Sequence, residues 1–373
     1  MSKVLIGMDH SGSFRVYLAV TTNLVEEART IHNTTPLATA GLGRVLTGAG
    51  MMGLLLKNKS DKLTLLFKGD GPAKQILATA TGAGEVKGYI ANPDVELPLT
   101  EAGKLDVGGS LGIGELTVIK DLGLKEPYVG TIALVSGEIA EDLTAYYFIS
   151  EQQNTAISLG VKIDTDYSVL AAGGMMIQML PDAQESAIDA LEKMLASLPP
   201  ITTLVERAEA CGGENTPQET VLERMLQEIF ADMPEEYRVR TLESRDLRWH
   251  CDCSEERLEK ILMTIGEKDL TEIIEEDEGA ELVCQFCCKK YYFDKEHLQR
   301  ILAEMKKKKD EFERITYAVE EELKYNLSIE EVKGLAYNNI ISLDKDNIVV
   351  RIGAKSLGKL GYGPVLTVID FRT

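Results

Sequence analysis

Five of the six cysteines in this 373-residue chain fall between Cys251 and Cys288. They form a C-x-C pair (Cys251, Cys253), a thirty-residue spacer, and a C-x-x-C pair (Cys284, Cys287) with Cys288 directly behind it. No other feature constrains the fold as tightly. Two short chelating pairs that close on one another tie residues 251–305 into a small module, and soft thiolate sulfur in this arrangement suits one tetrahedral zinc ion per chain. A module of this size buries too little apolar surface to be stable alone, so the metal is expected to supply folding free energy on the order of 10 kcal/mol or more. Four sulfurs fill the coordination sphere and leave no place for an activated water, which argues against a hydrolase or a zinc deaminase. Cys288 is an alternative to Cys287 as fourth ligand. Asp252 and His250 read as neighbours of the site, and Cys211, in "EACGGEN", as a bystander thiol.

The same spacing permits oxidation. C-x-C and C-x-x-C can each close a small disulfide ring, which satisfies all four sulfurs pairwise without crosslinking the two ends of the module. Such rings remove little chain entropy. Oxidation would therefore discard the metal's contribution and return almost nothing. The competing reading is an inert zinc staple within an enzyme or a nucleic-acid adaptor.

Sixty acidic against forty basic residues give a net charge of −20, which repels a phosphate backbone, so nucleic acid is not an expected partner. "KKKK" at 306–309 reads as a solvated helix face. No apolar run approaches the roughly 18 residues of a membrane span, and no secretory leader is recognisable, so no membrane partner and a cytoplasmic address are expected. In that reducing compartment clustered cysteines serve as metal ligands or redox-active thiols. "GDGPAK" (69–74) lacks the spacing of a phosphate loop, and neither His10 nor His32 pairs with a nucleophile, so no enzyme activity is expected.

Up to Leu180 the chain alternates β-branched, aromatic-rich runs with turn residues. "FRVYLAVT" (14–21), "KLTLLFKG" (62–69), "EVKGYIA" (85–91), "GELTVIK" (114–120), "YVGTIALVSG" (128–137) and "YSVLAAGGMMIQML" (167–180) read as strands. "PLATAGLGRVLTGAGMMGLLLK" (36–57), rich in small residues behind a proline, reads as a buried helix packed closely on a sheet. Residues 1–180 are thus expected to form an α+β domain with a mixed or antiparallel sheet and packed helices. From 181 to 250 amphipathic helices are expected, "DAQESAIDALEKMLASL" and "TPQETVLERMLQEIF", the second capped by Thr216 with Pro217 at its first position. The charged stretch 231–249 has few large apolar residues and must lean on a neighbour, so 181–250 reads as a conditionally stable helical linker. Inside the cysteine module Ser254 is expected to cap a helix, "LVCQFCCKKYYF" to form a strand, and Asp294 to cap a helix through Leu302. Residues 306–373 form an extension of unknown role, with a helical stripe at Phe312, Ile315, Val319 and Leu323 and a hairpin in "IISLDKDNIVVRIG".

Over residues 1–303 the chain resembles the redox-regulated thirty-three-kilodalton heat-shock holdase family of bacteria. The likeness rests on "LGRVLTGAGMMGLLLK", "GDGPAKQILATATGAGEVKGYIANPDVELPL", "VIKDLGLKEPYVGTIALVSGEIAEDLTAYYFISEQQNTAISLGV", "LAAGGMMIQMLP", "WHCDCSEER" and "EEDEGAELVCQFC". The resemblance implies an ATP-independent chaperone, inactive when reduced and zinc-bound, that holds unfolding proteins once oxidised. It implies Cys251, Cys253, Cys284 and Cys287 as zinc ligands, disulfides Cys251–Cys253 and Cys284–Cys287 on oxidation, a homodimer in that state, and transfer of clients to ATP-dependent foldase chaperones. Members of the family end soon after residue 303 of this numbering; the last 70 or so residues here match nothing in the resemblance.

Overall fold

The computed structural model describes residues 2–211, 216–324, 342–344, 347–351 and 366–369, with side chains through Asp310. They divide into two compact units, residues 1–251 together with 285–288, and residues 252–284 together with 289–373.

The first unit is built on one ten-stranded sheet. Its strands are β1 (Ser2–Asp9), β2 (Phe14–Val20), β3 (Lys62–Gly69), β4 (Gln75–Thr81), β5 (Glu85–Ile90), β6 (Gly114–Asp121), β7 (Tyr128–Ala133), β8 (Thr155–Ile163), β9 (Val169–Met179) and β10 (Val239–Trp249). The spatial order is β7-β6-β3-β4-β5-β10-β1-β2-β9-β8. Pairing is antiparallel except between β5 and β10, which run parallel and share only the positions Glu85 with Arg248 and Val86 with Trp249. The expected sheet is thus mixed.

Among the described residues seven α-helices accompany it, α1 (Thr22–His32), α2 (Pro36–Gly53), α3 (Val107–Leu111), α4 (Ala140–Tyr146), α5 (Glu185–Ser197), α6 (Ile201–Ala210) and α7 (Gln218–Phe230). Helix α2 starts where the sequence places it, with Pro36 at the first position and Thr35 Oγ1 accepting from the Ala38 N–H. Almost every residue of α2 is buried, and its glycines permit the close approach. A Cβ on Gly53 would lie 2.7 Å from the Ala80 Cβ, and one on Gly43 2.6 Å from a Val25 methyl.

Strand patterning records which faces are covered. In β3, β4 and β5 alternate residues are buried (Leu63, Leu65, Phe67; Ile76, Ala78, Ala80; Val86, Gly88, Ile90), because only the face toward α2 is in the core. In β1 and β2 the apolar run is nearly continuous, because both faces are covered. Val4, Ile6, Tyr17 and Ala19 join the α2 core, whereas Leu5, Phe14, Val16 and Leu18 join a second core with α5, α6 and α7. That second core buries Leu204, Val205, Leu222 and Met225 at 1 % exposure or less.

Residues 231–249, read as part of the helical linker 181–250, hold β10, an eleven-residue strand in the interior of the sheet against β1. Sequence patterning hid it because only Leu247 is buried, so alternation is absent. Helix α7 begins at Gln218 with Pro217 at its cap position, one residue later than the Thr216 signal.

The second unit contains α8 (Glu255–Leu262), α9 (Glu267–Glu276), the hairpin β11 (Gly279–Val283) with β12 (Lys290–Asp294), and α10 (Lys295–Lys324). The cap expectations hold: Ser254 Oγ accepts from the Arg257 N–H at 3.3 Å, and Asp294 Oδ1 from the His297 N–H at 2.8 Å. The expected strand "LVCQFCCKKYYF" is instead two strands, with the cysteines in the turn between them. Among the described residues the core of this unit is Leu262, Leu270, Ile274, Tyr291, Phe293, Leu298 and Ile301. Helix α10 runs on through the stripe positions Phe312 to Leu323, whose side chains lie outside the described residues. The expected hairpin is present as β13 (Ser342–Asp344) paired antiparallel with β14 (Asn347–Arg351), joined by β15 (Leu366–Ile369). Among the described residues no helix is long and apolar enough to cross a membrane.

Candidate metal centre

The C-x-C pair follows directly from β10. The His250 N–H donates to the Val86 carbonyl at 3.0 Å, which fixes the chain entering Cys251, and Ser254 then turns it into α8 immediately after Cys253. The C-x-x-C pair lies at the tip of the β11–β12 hairpin. Val283 pairs with Lys290, and the Cys284 N–H donates to the Lys289 carbonyl at 3.0 Å, leaving Gln285–Cys288 as the loop. Cys288 ends that loop in the left-handed region, at φ 56°, a conformation that usually selects glycine.

These two turns gather Cys251, Cys253, Cys284 and Cys287, whose sulfur atoms all lie within 4.8 Å of one another. All four residues are partly buried. Tyr291 backs the group, its hydroxyl donating to the Cys253 carbonyl at 3.2 Å and lying 3.2 Å from Cys253 Sγ. Cys288 is not in the group: its exposed Sγ lies 3.5 Å from His32 Nδ1. Neither His250 nor Asp252 is in the group, and Cys211 is exposed at the end of α6. Four soft donors on two short loops fit a tetrahedral ion of zinc type and fit poorly a hard cation that demands oxygen.

One further set that sequence reading passed over is Glu255, Glu259 and His297, whose ligand atoms also lie within 4.8 Å. The i, i+4 spacing of the two glutamates on α8 is legible; that His297 of α10 meets them is not. His297 Nε2–H donates to Glu259 at 2.6 Å, an internal tie between α8 and α10.

A sequence profile of the family described as Hsp33 protein matches residues 2–294. The chain belongs to the Hsp33 family. It is 47 % identical to the 33 kDa chaperonin of Alkaliphilus oremlandii over 303 residues, covering 81 % of this chain and 96 % of that one. It is 45 % identical to the 33 kDa chaperonin of Clostridioides difficile, covering 81 % and 99 %. The crystal structure of the 33 kDa chaperonin from Thermotoga maritima is similar to it with a TM-score of 0.70 at 37 % identity, over 81 % of this chain and 97 % of that one. Hsp33 is a chaperone family, in agreement with the function expected from the resemblance. The match ends at residue 294, so the segment from 306 onward lies beyond what the family profile describes.

Proposed function

We propose that this chain is a redox-regulated, ATP-independent holdase of the cytoplasm. Reduced, it carries one zinc ion on Cys251, Cys253, Cys284 and Cys287 and is inactive. Oxidation closes the Cys251–Cys253 and Cys284–Cys287 disulfides, releases the ion and leaves the second unit without its main support. The linker 181–250 then loses its dock, the protein dimerises, and unfolding clients are held until ATP-dependent foldases take them.

The observation that carries this reading is the gathering of the four sulfurs from two pairs, each already adjacent enough to form its own small ring. Two features support the rest. Among the described residues the core of the second unit has seven buried apolar side chains, so its folding is expected to depend on the metal. The apolar faces of α5, α6 and α7, with Leu204, Val205, Leu222 and Met225, would form a broad sticky surface once released from the sheet.

The deciding experiment compares suppression of aggregation of a heat-labile protein before and after peroxide treatment, with metal release followed in parallel. The reading requires that activity rise as about one zinc per chain is lost. A reduced, metal-loaded protein that holds clients better than the oxidised one would overturn it.

A further inference from the structure

The loop Gln285–Cys288 belongs to the first unit, although the strands on either side of it belong to the second. Its residue Phe286, between the two cysteines of the C-x-x-C, meets the face of β5 that α2 leaves uncovered. The Phe286 ring stands edge-on to Tyr89, centroids 5.5 Å apart at 80°, and the Lys87 ammonium lies over it at 4.8 Å. Lys87 and Tyr89 alternate with buried Val86, Gly88 and Ile90, so strand periodicity directs both to this face. Beyond Val86, β5 has no β10 partner, and the Gly88 carbonyl there accepts instead from His32 Nε2–H at 3.0 Å. The same imidazole lies 3.5 Å from Cys288 Sγ. Two consecutive attachments, an aromatic–cation clasp on Phe286 and the His32 contact on Cys288, therefore flank Cys287.

We propose that Phe286, seated on Tyr89 and Lys87, is a positioning residue that restrains the Cys284–Cys287 pair and sets how readily it is oxidised. This rests on the redox-switch reading. With peroxide as oxidant, one cysteine thiolate leaves the zinc and attacks a peroxide oxygen; the O–O bond breaks, the sulfur keeps one oxygen as sulfenic acid, and the other oxygen leaves as hydroxide, which solvent protonates to water as it does the hydroxide lost in the next step. The second sulfur displaces the hydroxyl, which leaves as a second water, and the S–S bond forms. The pair loses two electrons and the peroxide gains them. That last displacement draws two sulfurs that lie within 4.8 Å of each other to about 2.05 Å, which forces the intervening turn to move. Phe286 cannot stay clasped while its flanking residues shift, so the clasp must open first, and its strength enters the rate.

The test uses the full-length, reduced, zinc-loaded protein treated with excess hydrogen peroxide, with thiol loss at Cys284 and Cys287 followed by mass spectrometry and zinc release by a chromogenic chelator. Removing an aromatic contact or a cation over a ring loosens a site by roughly two- to tenfold each. Tyr89→Ala and Lys87→Met should accordingly accelerate oxidation about fivefold, while Lys87→Arg and Phe286→Tyr, which preserve the clasp, stay within about twofold of wild type. The sign is diagnostic, because loss of a cation near the knuckle would by itself make the sulfurs less reactive. Tyr89→Ala and Lys87→Met proteins that keep wild-type melting temperature and one zinc per chain, yet oxidise at the wild-type rate, would overturn the proposal and leave the redox switch standing. A wild-type protein that keeps its zinc and thiols under peroxide would overturn both.

Discussion

Phe293 of β12 is fully buried in the described core of the second unit, with its ring edge-on to His297 at 5.0 Å. Truncation of a buried Phe to Ala costs about 3–5 kcal/mol. If the unit folds only with metal, as proposed, this loss cannot appear as a lower melting temperature of the metal-free form, which then has no fold to lose. It appears instead in metal affinity, since the ion must now drive a less favourable folding step. At about 1.4 kcal/mol per tenfold, Phe293→Ala should weaken zinc binding by roughly a hundredfold to a few thousandfold with all four cysteines intact. The assay is competition with a chelator of known affinity, with Phe67→Ala as control. Phe67 is equally buried, but in β3 of the first unit, so its loss should lower the stability of that unit and leave zinc affinity within about threefold. If Phe293→Ala holds zinc as tightly as wild type, and metal-free protein still protects the amides of α8 to β12 from exchange, coupling between metal and fold is refuted.

Leu222→Ala removes a fully buried side chain from the face of α7 and should cost about 2–5 kcal/mol of docking, so the reduced protein should bind a hydrophobic dye that wild type excludes; unchanged dye binding would show that α7 is not the weak element. Cys288→Gly should keep one zinc per chain and gain about 1 kcal/mol by relieving the left-handed backbone, whereas Cys284→Ser should lose the metal; zinc loss from the Cys288 variant would displace Cys287 as fourth ligand. Burial pushes the His32 imidazole below the ordinary histidine range, against the opposing hydrogen bonds to the Gly88 and Phe286 carbonyls. Between that depressed value and the ordinary one the unfolded chain binds more protons, so stability rises with pH there and is lost as pH falls. Acidification from about pH 7.5 to 5.5 should therefore lower the melting temperature of wild type more than that of His32→Gln; an equal or larger drop in the variant would count against it.

Much of the architecture was legible in the chain because it rests on local rules. The alternation in "KLTLLFKG" marks one covered face, Pro36 behind Thr35 starts α2, and Ser254 and Asp294 cap α8 and α10 through their own side chains. The four cysteines that gather in the structure were legible for the same reason, since each short pair lies within its own loop. The splitting of "LVCQFCCKKYYF" into a hairpin was missed because the turn is made by cysteines and not by the usual turn residues.

Sequence by itself determined the helices at α2, α5, α7, α8 and α10, several of the strands, and the two short cysteine pairs as candidate ligands, because these follow from side-chain periodicity, capping and short-range spacing. Only the tertiary structure decided that the charged run Val239–Trp249 is an interior strand, that Cys287 and not Cys288 joins the sulfur group, and that Phe286 meets Tyr89 and Lys87. Each of those depends on residues far apart in the chain meeting across a sheet edge or a loop, and no local pattern encodes such a meeting.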